Sequence, residues 1–421
     1  MSSFVGQEAR PVRPLPAAIL IACVGFISLL TEILPAGLLP QIARDLGVSV
    51  SVAGQGIVAF AIGCIVAAIP LTRAAAGWNR RSLLIAVVVV SAVANLGTAV
   101  APEIVSHLAS RFVAGLAAGV VWAMIPGYVR GFTAPGRLGA TLGVAFLGGT
   151  LSLALGVPLG TVLGESLGWR AVFAIIVGVT VLVGVIVAIW APRVPGITRG
   201  ADAKIPAEAS LRAALGTPAV LLVLATVTLS IVAQNLGYTY LTPILTFGAG
   251  EPVLAPSLVF ALFGIASIVG TFGCGRLSDR YLAVSLVSAM AAGVLGLAGI
   301  GLAVWPGVLP AAVAAPVTFV SALLWGYAFG GYSVLFQVLI ARAGGAAADA
   351  AQSVMVTVWN ISIALGGLLG GLILAGIGTL ALLPIGAVLM VFALFPVLRV
   401  LAGVRAEDAR AAVEPAVVAA I

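Results

Sequence analysis

Charged side chains are scarce in this sequence. Asp, Glu, Lys and Arg account for 8% of its 421 residues, whereas roughly 25% is usual in soluble domains. Hydrophobic residues account for 62%. A water-soluble globule is therefore excluded, and the composition indicates a protein that lies almost entirely in a lipid bilayer.

Groups for metal binding, phosphate binding and catalysis are scarce as well. The three cysteines, Cys23, Cys64 and Cys274, lie in apolar runs without a metal ligand at useful spacing, so neither a disulfide framework nor a metal site is predicted. No phosphate loop of the pattern Gly-x-x-x-x-Gly-Lys-Ser/Thr occurs. We expect no enzymatic activity, no cofactor and, because the basic residues are spread over short loops, no nucleic-acid partner.

Apolar runs of about 20 to 25 residues, the length of a membrane-spanning helix, alternate with short polar loops. The alternating ten-residue pattern of an outer-membrane barrel is missing. We therefore predict an all-α membrane protein with twelve transmembrane helices, near residues 15–39, 51–71, 83–101, 104–127, 138–163, 171–191, 217–241, 256–275, 282–304, 311–340, 351–374 and 379–401.

The longest polar interval between these runs divides the chain into two parts of equal size. We predict an N-terminal six-helix bundle over 1–191, a cytoplasmic linker over 192–216, and a C-terminal six-helix bundle with a short tail over 217–421. Two pseudo-symmetric halves are typical of transporters.

A short pattern recurs in the two halves. Thr31 precedes Pro35 near the end of helix 1, and Thr239 precedes Pro243 near the end of helix 7. The spacing is the same and the positions are equivalent, which favours an internal repeat.

The basic residues are distributed unevenly between the two sides of the membrane. With the N-terminus in the cytoplasm, seventeen Lys and Arg residues fall on the cytoplasmic side, and only Arg44 and Arg170 fall outside. The positive-inside rule then places both termini in the cytoplasm. The first apolar run is too long for a signal-peptide core, so we expect helix 1 to be retained.

Several motifs resemble those of the major facilitator superfamily, and within it the twelve-helix drug:proton antiporters that include chloramphenicol and sugar efflux proteins. The resemblance extends over nearly the whole chain. The matching segments are Thr31-Glu32 with Pro35 and residues 37–49 in helix 1, Arg111 to Gly119 in helix 4, Gly156-Val157-Pro158-Leu159-Gly160 in helix 5, and Trp169-Arg170 at the start of helix 6.

This resemblance implies a secondary transporter in the inner membrane, working as a monomer by alternating access. It implies export of small amphipathic molecules, such as phenicols, in exchange for protons. The proton gradient is then the energy source. It also places Glu32 at the position of the proton-coupling acid. Export of sugars or another native metabolite, or uncoupled facilitation, is the alternative; a membrane receptor or scaffold is the alternative outside transport.

The resemblance also implies gating residues. The cytoplasmic loop after helix 8 keeps Gly275, Asp279 and Arg280 of the superfamily signature, whereas the loop after helix 2 has Ala76 where the acid belongs. In helix 5, Gly156, Pro158 and Gly160 predict a bend, and the resemblance makes helix 8 their packing partner.

Two charged residues lie well inside the predicted spans, away from their ends: Glu32 and Arg111. Each lies about eight residues from the outer end of its helix, hence ~12 Å below the outer boundary at about 1.5 Å per residue. A charge at that depth costs roughly 2.5–3.5 kcal/mol on insertion scales. The two groups form either a static ion pair between helices 1 and 4, or a protonation switch in which Glu32 binds and releases a proton.

Polar and aromatic residues inside the spans are candidate substrate contacts. Helix 4 contributes Trp122, on the same face as Arg111. The only histidine, His107, has a surface role or takes part in a proton relay. The other candidates, which interhelical bonding alone would also explain, are Gln234, Asn235, Tyr238, Tyr240, Trp325, Tyr327, Gln337, Gln352, Trp359 and Asn360.

Overall fold

The computed structural model describes the backbone of residues 14–67, 71, 74–75, 77–134, 137–195, 211–247 and 253–418. Within these ranges the chain forms helices and turns and no strand. We call the side on which the first helix begins the inner side and the opposite side the outer side. These names follow the predicted orientation.

Each of the twelve predicted apolar segments forms a helix. Eleven are long and apolar enough to cross a membrane, and the second, with 17 described residues, is shorter. They are α1 Pro14–Ile33, α2 Val50–Val66, α3 Arg80–Ala99, α4 Ile104–Arg130, α5 Thr141–Leu167, α6 Trp169–Trp190, α7 Pro218–Thr239, α8 Pro256–Ser278, α9 Arg280–Val304, α10 Ala312–Ala347, α11 Ala350–Gly376 and α12 Thr379–Gly403.

The helices pack as two sets that meet along two seams. In the first half α1 lies against α5, α2 against α4, and α3 against α6; in the second, α7 lies against α11 and α12. The halves meet where α2 contacts α11 and where α5 contacts α8. Of the segment predicted as a linker, residues 196–210 lie outside the described residues.

Helices 1 and 7 are interrupted at the recurring Thr and Pro. Helix α1 ends at Ile33 and a second helix, Pro35–Asp45, continues outward. Helix α7 ends at Thr239 and is followed by Leu241–Phe247. A proline cannot bond the carbonyl four residues earlier, and that residue is the threonine in both copies. The predicted spans near 15–39 and 217–241 are therefore present as helices, and each is interrupted near its outer end.

Helix α5 is irregular in its middle. Residues Ser152–Gly156 form a π-helical turn, two residues before Pro158, which is buried. The helix that begins at Pro256 contacts this part of α5, as predicted, but the two glycines themselves face helix 1: a Cβ on Gly156 would lie 2.9 Å from Leu30, and one on Gly160 would overlap Leu34. The contact with α8 lies one turn earlier, where Gly264 approaches the Leu153 backbone.

The outer ends of the two halves are joined. Ser51 Oγ, at the start of α2, donates to the carbonyl of Gly371 in α11 at 2.7 Å. Thr242 Oγ1 donates to the carbonyl of Ala36 at 2.9 Å. In the described part of the chain these are the side-chain hydrogen bonds between the halves, and both lie at the outer side. The structure is therefore closed towards the outer side.

Candidate functional site

A cavity of about 80 Å³ lies between the two halves. Since a buried water needs roughly 10–15 Å³, this space holds several water molecules or a small part of a larger ligand. Helices 1 and 5 supply one side of the wall and helices 7, 8, 10 and 11 supply the other. The lining residues are Leu29, Glu32, Ile33, Leu153, Gln234, Asn235, Tyr238, Phe263, Phe329, Trp359 and Ile363.

Glu32 is the acidic residue of this lining, and it is 7% exposed. It lies in the last turn of α1, two residues before the interruption of the helix. Its backbone carbonyl accepts a hydrogen bond from Arg111 Nη2 at 3.1 Å. The two residues predicted to share one depth are thus in contact.

Arg111 is completely buried. Its Nε donates to the Gly56 carbonyl at 3.4 Å, and its guanidinium carbon lies 4.8 Å from the Phe60 ring centroid and 6.0 Å from that of Phe173. These ring faces offset part of the desolvation of the cation. Among the described side chains the ion pair within 4.0 Å is Arg170 with Asp45, so Arg111 holds Glu32 through its main chain in this conformation.

The cavity wall carries unused hydrogen-bonding groups on α7. Asn235 Nδ2 donates to the Ile231 carbonyl at 2.9 Å, which leaves its Oδ1 as an acceptor. Gln234 Oε1 accepts from Trp325 Nε1, which leaves its amide NH₂ as a donor. The buried hydroxyl of Tyr238 has no protein partner. A ligand in the cavity therefore meets a donor, an acceptor and a hydroxyl.

Aromatic rings form the rest of this wall. The Tyr238 ring lies 5.1 Å from that of Phe263, Phe263 lies 5.5 Å from Phe329, and Phe329 lies 6.5 Å from Trp359. Ring separations of this size are the range in which aromatic side chains interact. The second half thus presents a continuous aromatic surface opposite Glu32.

Four of the eleven candidate substrate contacts line the cavity: Gln234, Asn235, Tyr238 and Trp359. Trp325 is fully buried behind the wall, bonded to Gln234. Trp122 stacks on Phe146 at 6.3 Å within the first half. Both are packing residues in this conformation.

Gln337 and Asn360 also lie away from the cavity. The Gln337 amide donates to the Ser333 carbonyl at 2.6 Å, and the Asn360 amide to the Val356 carbonyl at 2.9 Å. Each side chain folds back on the preceding turn of its own helix. Composition alone does not distinguish these amides from Asn235, which makes the same bond but faces the cavity.

Tyr240 lies on the outer seam instead of in the cavity. It is fully buried, and its hydroxyl donates to the Gly367 carbonyl at 2.8 Å. A Cβ on Gly54 would lie 2.5 Å from this hydroxyl, and one on Gly370 would lie 2.6 Å from the ring. These two glycines make room for a tyrosine that fills the contact between α2, α7 and α11.

The predicted gating residues lie at the inner end of α8. Arg280 is exposed and lies over the ring of Tyr281 at 5.3 Å, where non-helical backbone angles (φ −133°, ψ 42°) separate α8 from α9. A Cβ on Gly275 would be in ordinary contact with Val334. The side chain of Asp279 lies outside the described residues, and the gating role stays a prediction.

His107 is completely buried, so the expected surface role was wrong. Its ring meets that of Trp169 edge-on at 5.6 Å, and neither ring nitrogen has a protein partner. Trp169 Nε1 donates to Asp45 at 2.9 Å. The sequence places His107 three residues into α4 but does not reveal that Trp169 covers it.

Comparison with known proteins was made for the sequence and for the fold. The model of the Major Facilitator Superfamily matches residues 21–367. The chain is 28% identical to a chloramphenicol efflux pump of Mycobacterium tuberculosis over 403 residues, covering 89% of this chain and 90% of the relative. It is 30% identical to a purine ribonucleoside efflux pump of Salmonella typhimurium over 377 residues, covering 89% of each. The structure resembles that of the nucleoside transporter NupG with a TM-score of 0.72 at 12% identity, over 93% of this chain and 99% of that one.

Proposed function

Because this chain belongs to the Major Facilitator Superfamily, we propose that it exports small amphipathic molecules in exchange for protons, with Glu32 as the group that carries the proton. The observation behind this proposal is that a single acidic side chain lines the cavity between the halves. Substrate and proton would then bind in the same cavity and compete with each other. Exchange follows, because protonation of Glu32 favours release of the substrate and deprotonation favours its binding.

Arg111 has a positioning role in this proposal. Its hydrogen bond to the Glu32 carbonyl ties helix 4 to the last turn of α1 without neutralising the carboxyl group. The carboxyl group therefore stays available to a proton or a cationic substrate. The interruption at Leu34 and Pro35, just beyond Glu32, lets this turn move relative to the outer extension of the helix.

Glu32→Gln tests the coupling. In liposomes with an imposed pH gradient, the wild type is expected to accumulate chloramphenicol or a purine ribonucleoside, and Glu32→Gln is expected to abolish gradient-driven accumulation because the amide cannot bind the proton. The control is Glu165→Gln, which neutralises an exposed acid near the outer end of α5. Accumulation by Glu32→Gln at the wild-type level would reject proton antiport through this residue and favour an uncoupled facilitator.

The chemistry of the wall favours a second candidate for the substrate class. The free donor of Gln234 and the free acceptor of Asn235 lie beside aromatic rings. Amides paired with aromatic faces are how proteins bind nucleobases, through the base edges and by stacking. The hydrogen-bonding and stacking groups of this wall therefore match a purine base.

Asn235→Leu tests whether Asn235 binds a purine ribonucleoside. A site that hydrogen-bonds a ligand discriminates strongly against losing that bond, so we expect the KM for a purine ribonucleoside to rise by about tenfold. Asn360→Leu removes the same helix-internal hydrogen bond outside the cavity and is expected to leave KM unchanged. Equal effects of both variants would remove Asn235 from the substrate site.

A further inference from the structure

The buried polar side chains of His107 and Arg111 lie next to each other on α4, away from the cavity between the halves; we call this cluster the polar pocket. His107 is one helical turn outward from Arg111 on α4. Gly56 of α2 forms its floor, because a Cβ there would lie 3.1 Å from His107 Nε2 and 3.6 Å from Arg111 Cγ. The pocket therefore joins the imidazole to the residue that holds Glu32.

Three polar atoms of this pocket are buried without a protein partner. They are Nδ1 and Nε2 of His107 and Nη1 of Arg111. Buried polar atoms almost always have a partner, and a neutral imidazole needs one acceptor and one donor. Water molecules would supply the missing hydrogen bonds, as ordered water does for other buried polar groups in proteins.

The pocket is covered on its outer side by a hydrogen-bonded lid. The Trp169 ring lies against His107, and Trp169 Nε1 and Arg170 Nη1 both bond Asp45 Oδ2 at 2.9 Å. Arg170 Nη2 also bonds the Ala101 carbonyl at 3.0 Å. The side chains of Arg170 and Asp45 are 39% and 50% exposed, and exposed pairs contribute only about 0–1 kcal/mol. Opening the lid breaks this weak pair and also displaces the Trp169 ring, which is fully buried and packs edge-on against Phe173.

From these observations we propose that His107 relays protons between the outer solution and Glu32. This inference rests on the proposed proton antiport. It assigns a route inside the first half that avoids the seam closed by Tyr240 and Ser51. Protons would reach Glu32 past Arg111 and not through the substrate cavity.

In the relay step the imidazole gains one proton and loses another, so its protonation state is the same before and after. A hydronium ion on the lid side gives a proton to the free ring nitrogen, and the other ring nitrogen releases its proton to water on the Arg111 side. That proton reaches the Glu32 carboxylate, and a ring flip or tautomer exchange restores His107. The charged groups facing the ring are Arg111 from its own helix, Arg170 from the start of α6, and Asp45 from the outer extension of helix 1. Glu32 lies beyond Arg111.

His107→Phe is the test variant, because it keeps an aromatic ring against Trp169 and removes both nitrogens. We expect gradient-driven uptake of chloramphenicol or inosine in liposomes to fall by about a hundredfold, the lower end of what positioned proton-transfer groups contribute. Exchange of labelled for unlabelled substrate, which moves no net proton, is expected to stay at the wild-type level. The midpoint of thermal unfolding should not fall, since neither nitrogen has a protein hydrogen bond to lose.

Two further comparisons keep the test specific. Gly56→Ala places a methyl group beside His107 Nε2 and should slow gradient-driven uptake but not substrate exchange. In Gly127→Ala, on α4, the new methyl group meets no atom within 4 Å, and neither measurement should change. Thr180→Val removes another buried polar group of the first half and should leave coupling intact.

The outcomes separate this inference from the proposed function. Loss of gradient-driven uptake in both Glu32→Gln and His107→Phe, with exchange retained in His107→Phe, supports the relay. Full coupling in His107→Phe, when Glu32→Gln has lost it, overturns the relay and leaves antiport standing. Loss of exchange and thermal stability together in His107→Phe would make His107 a structural residue and would also overturn the relay.

Discussion

Cysteines introduced by Ser51→Cys and Gly371→Cys are expected to form a disulfide that stops transport completely until it is reduced. A Cβ at position 371 would lie 3.0 Å from Ser51 Oγ, and the ends of the Gln55 and Tyr240 side chains, at 2.7 and 2.9 Å, would have to shift slightly. The two cysteines would then be within reach of a disulfide, whose Cβ atoms lie ~3.5–4.5 Å apart. Because α2 and α11 belong to different halves, the bond would hold the outer side closed. Alternating access requires these halves to move against each other.

This experiment uses a background in which Cys23, Cys64 and Cys274 are replaced, so that the new pair alone can react. Cross-linking is read as the loss of free thiols, and export of chloramphenicol or inosine is measured before and after reduction. The matched control is the pair Gly97→Cys and Ser110→Cys, which are adjacent on α3 and α4 of the same half and should cross-link without loss of transport. Undiminished transport by the fully cross-linked Ser51 and Gly371 pair would contradict an outer seam that opens.

Two single glycine substitutions are expected to give opposite patterns of damage. A Cβ on Gly264 of α8 would overlap the backbone of Leu153 across the seam between the halves, and one on Gly330 of α10 would overlap the backbone of Ser267 within the second half. Overpacking costs about 1–3 kcal/mol or more. In Gly264→Ala the halves can separate to relieve the overlap, whereas in Gly330→Ala no movement of the halves relieves it.

Gly264→Ala should therefore keep its fold but leave the outer-closed state. A cost of about 1–3 kcal/mol changes the ratio of two conformations about 5- to 150-fold, so the Ser51 and Gly371 cysteines should cross-link more slowly and transport should fall. Gly330→Ala should lower the midpoint of thermal unfolding and the yield of folded protein. If Gly264→Ala reduced thermal stability as much as Gly330→Ala and left the cross-linking rate unchanged, the α5 and α8 contact would not belong to the moving seam.

Hydropathy predicts the helices of this protein well because membrane spans must be long, apolar and internally bonded. The recurring Thr and Pro lie where helices 1 and 7 are interrupted, but from the sequence they indicated only an internal repeat and not a break in the helix. Glu32 and Arg111 stood out because a charge inside a span is rare and costly. All these features can be read locally.

The side chains that depend on packing could not be found in this way. Phe263 and Phe329 line the cavity, but they are two of 16 phenylalanines in a hydrophobic chain. Tyr240 is two residues from Tyr238, yet one lies on the outer seam and the other on the cavity wall. His107 is covered by Trp169, 62 positions later in the sequence, and by Gly56 of α2. Such placements depend on how helices rotate against one another, which hydropathy does not specify.

The two hydrogen bonds that join the outer ends have a consequence for energy conversion. Interhelical bonds in membranes average about 0.6 kcal/mol, so Ser51 with Gly371 and Thr242 with Ala36 together contribute about 1.2 kcal/mol. One elementary charge crossing a potential of 100 mV releases about 2.3 kcal/mol. The two hydrogen bonds across this seam are thus weaker than the work of one elementary charge crossing that potential, and the packing around Tyr240 is left as the other contribution that holds the outer ends together.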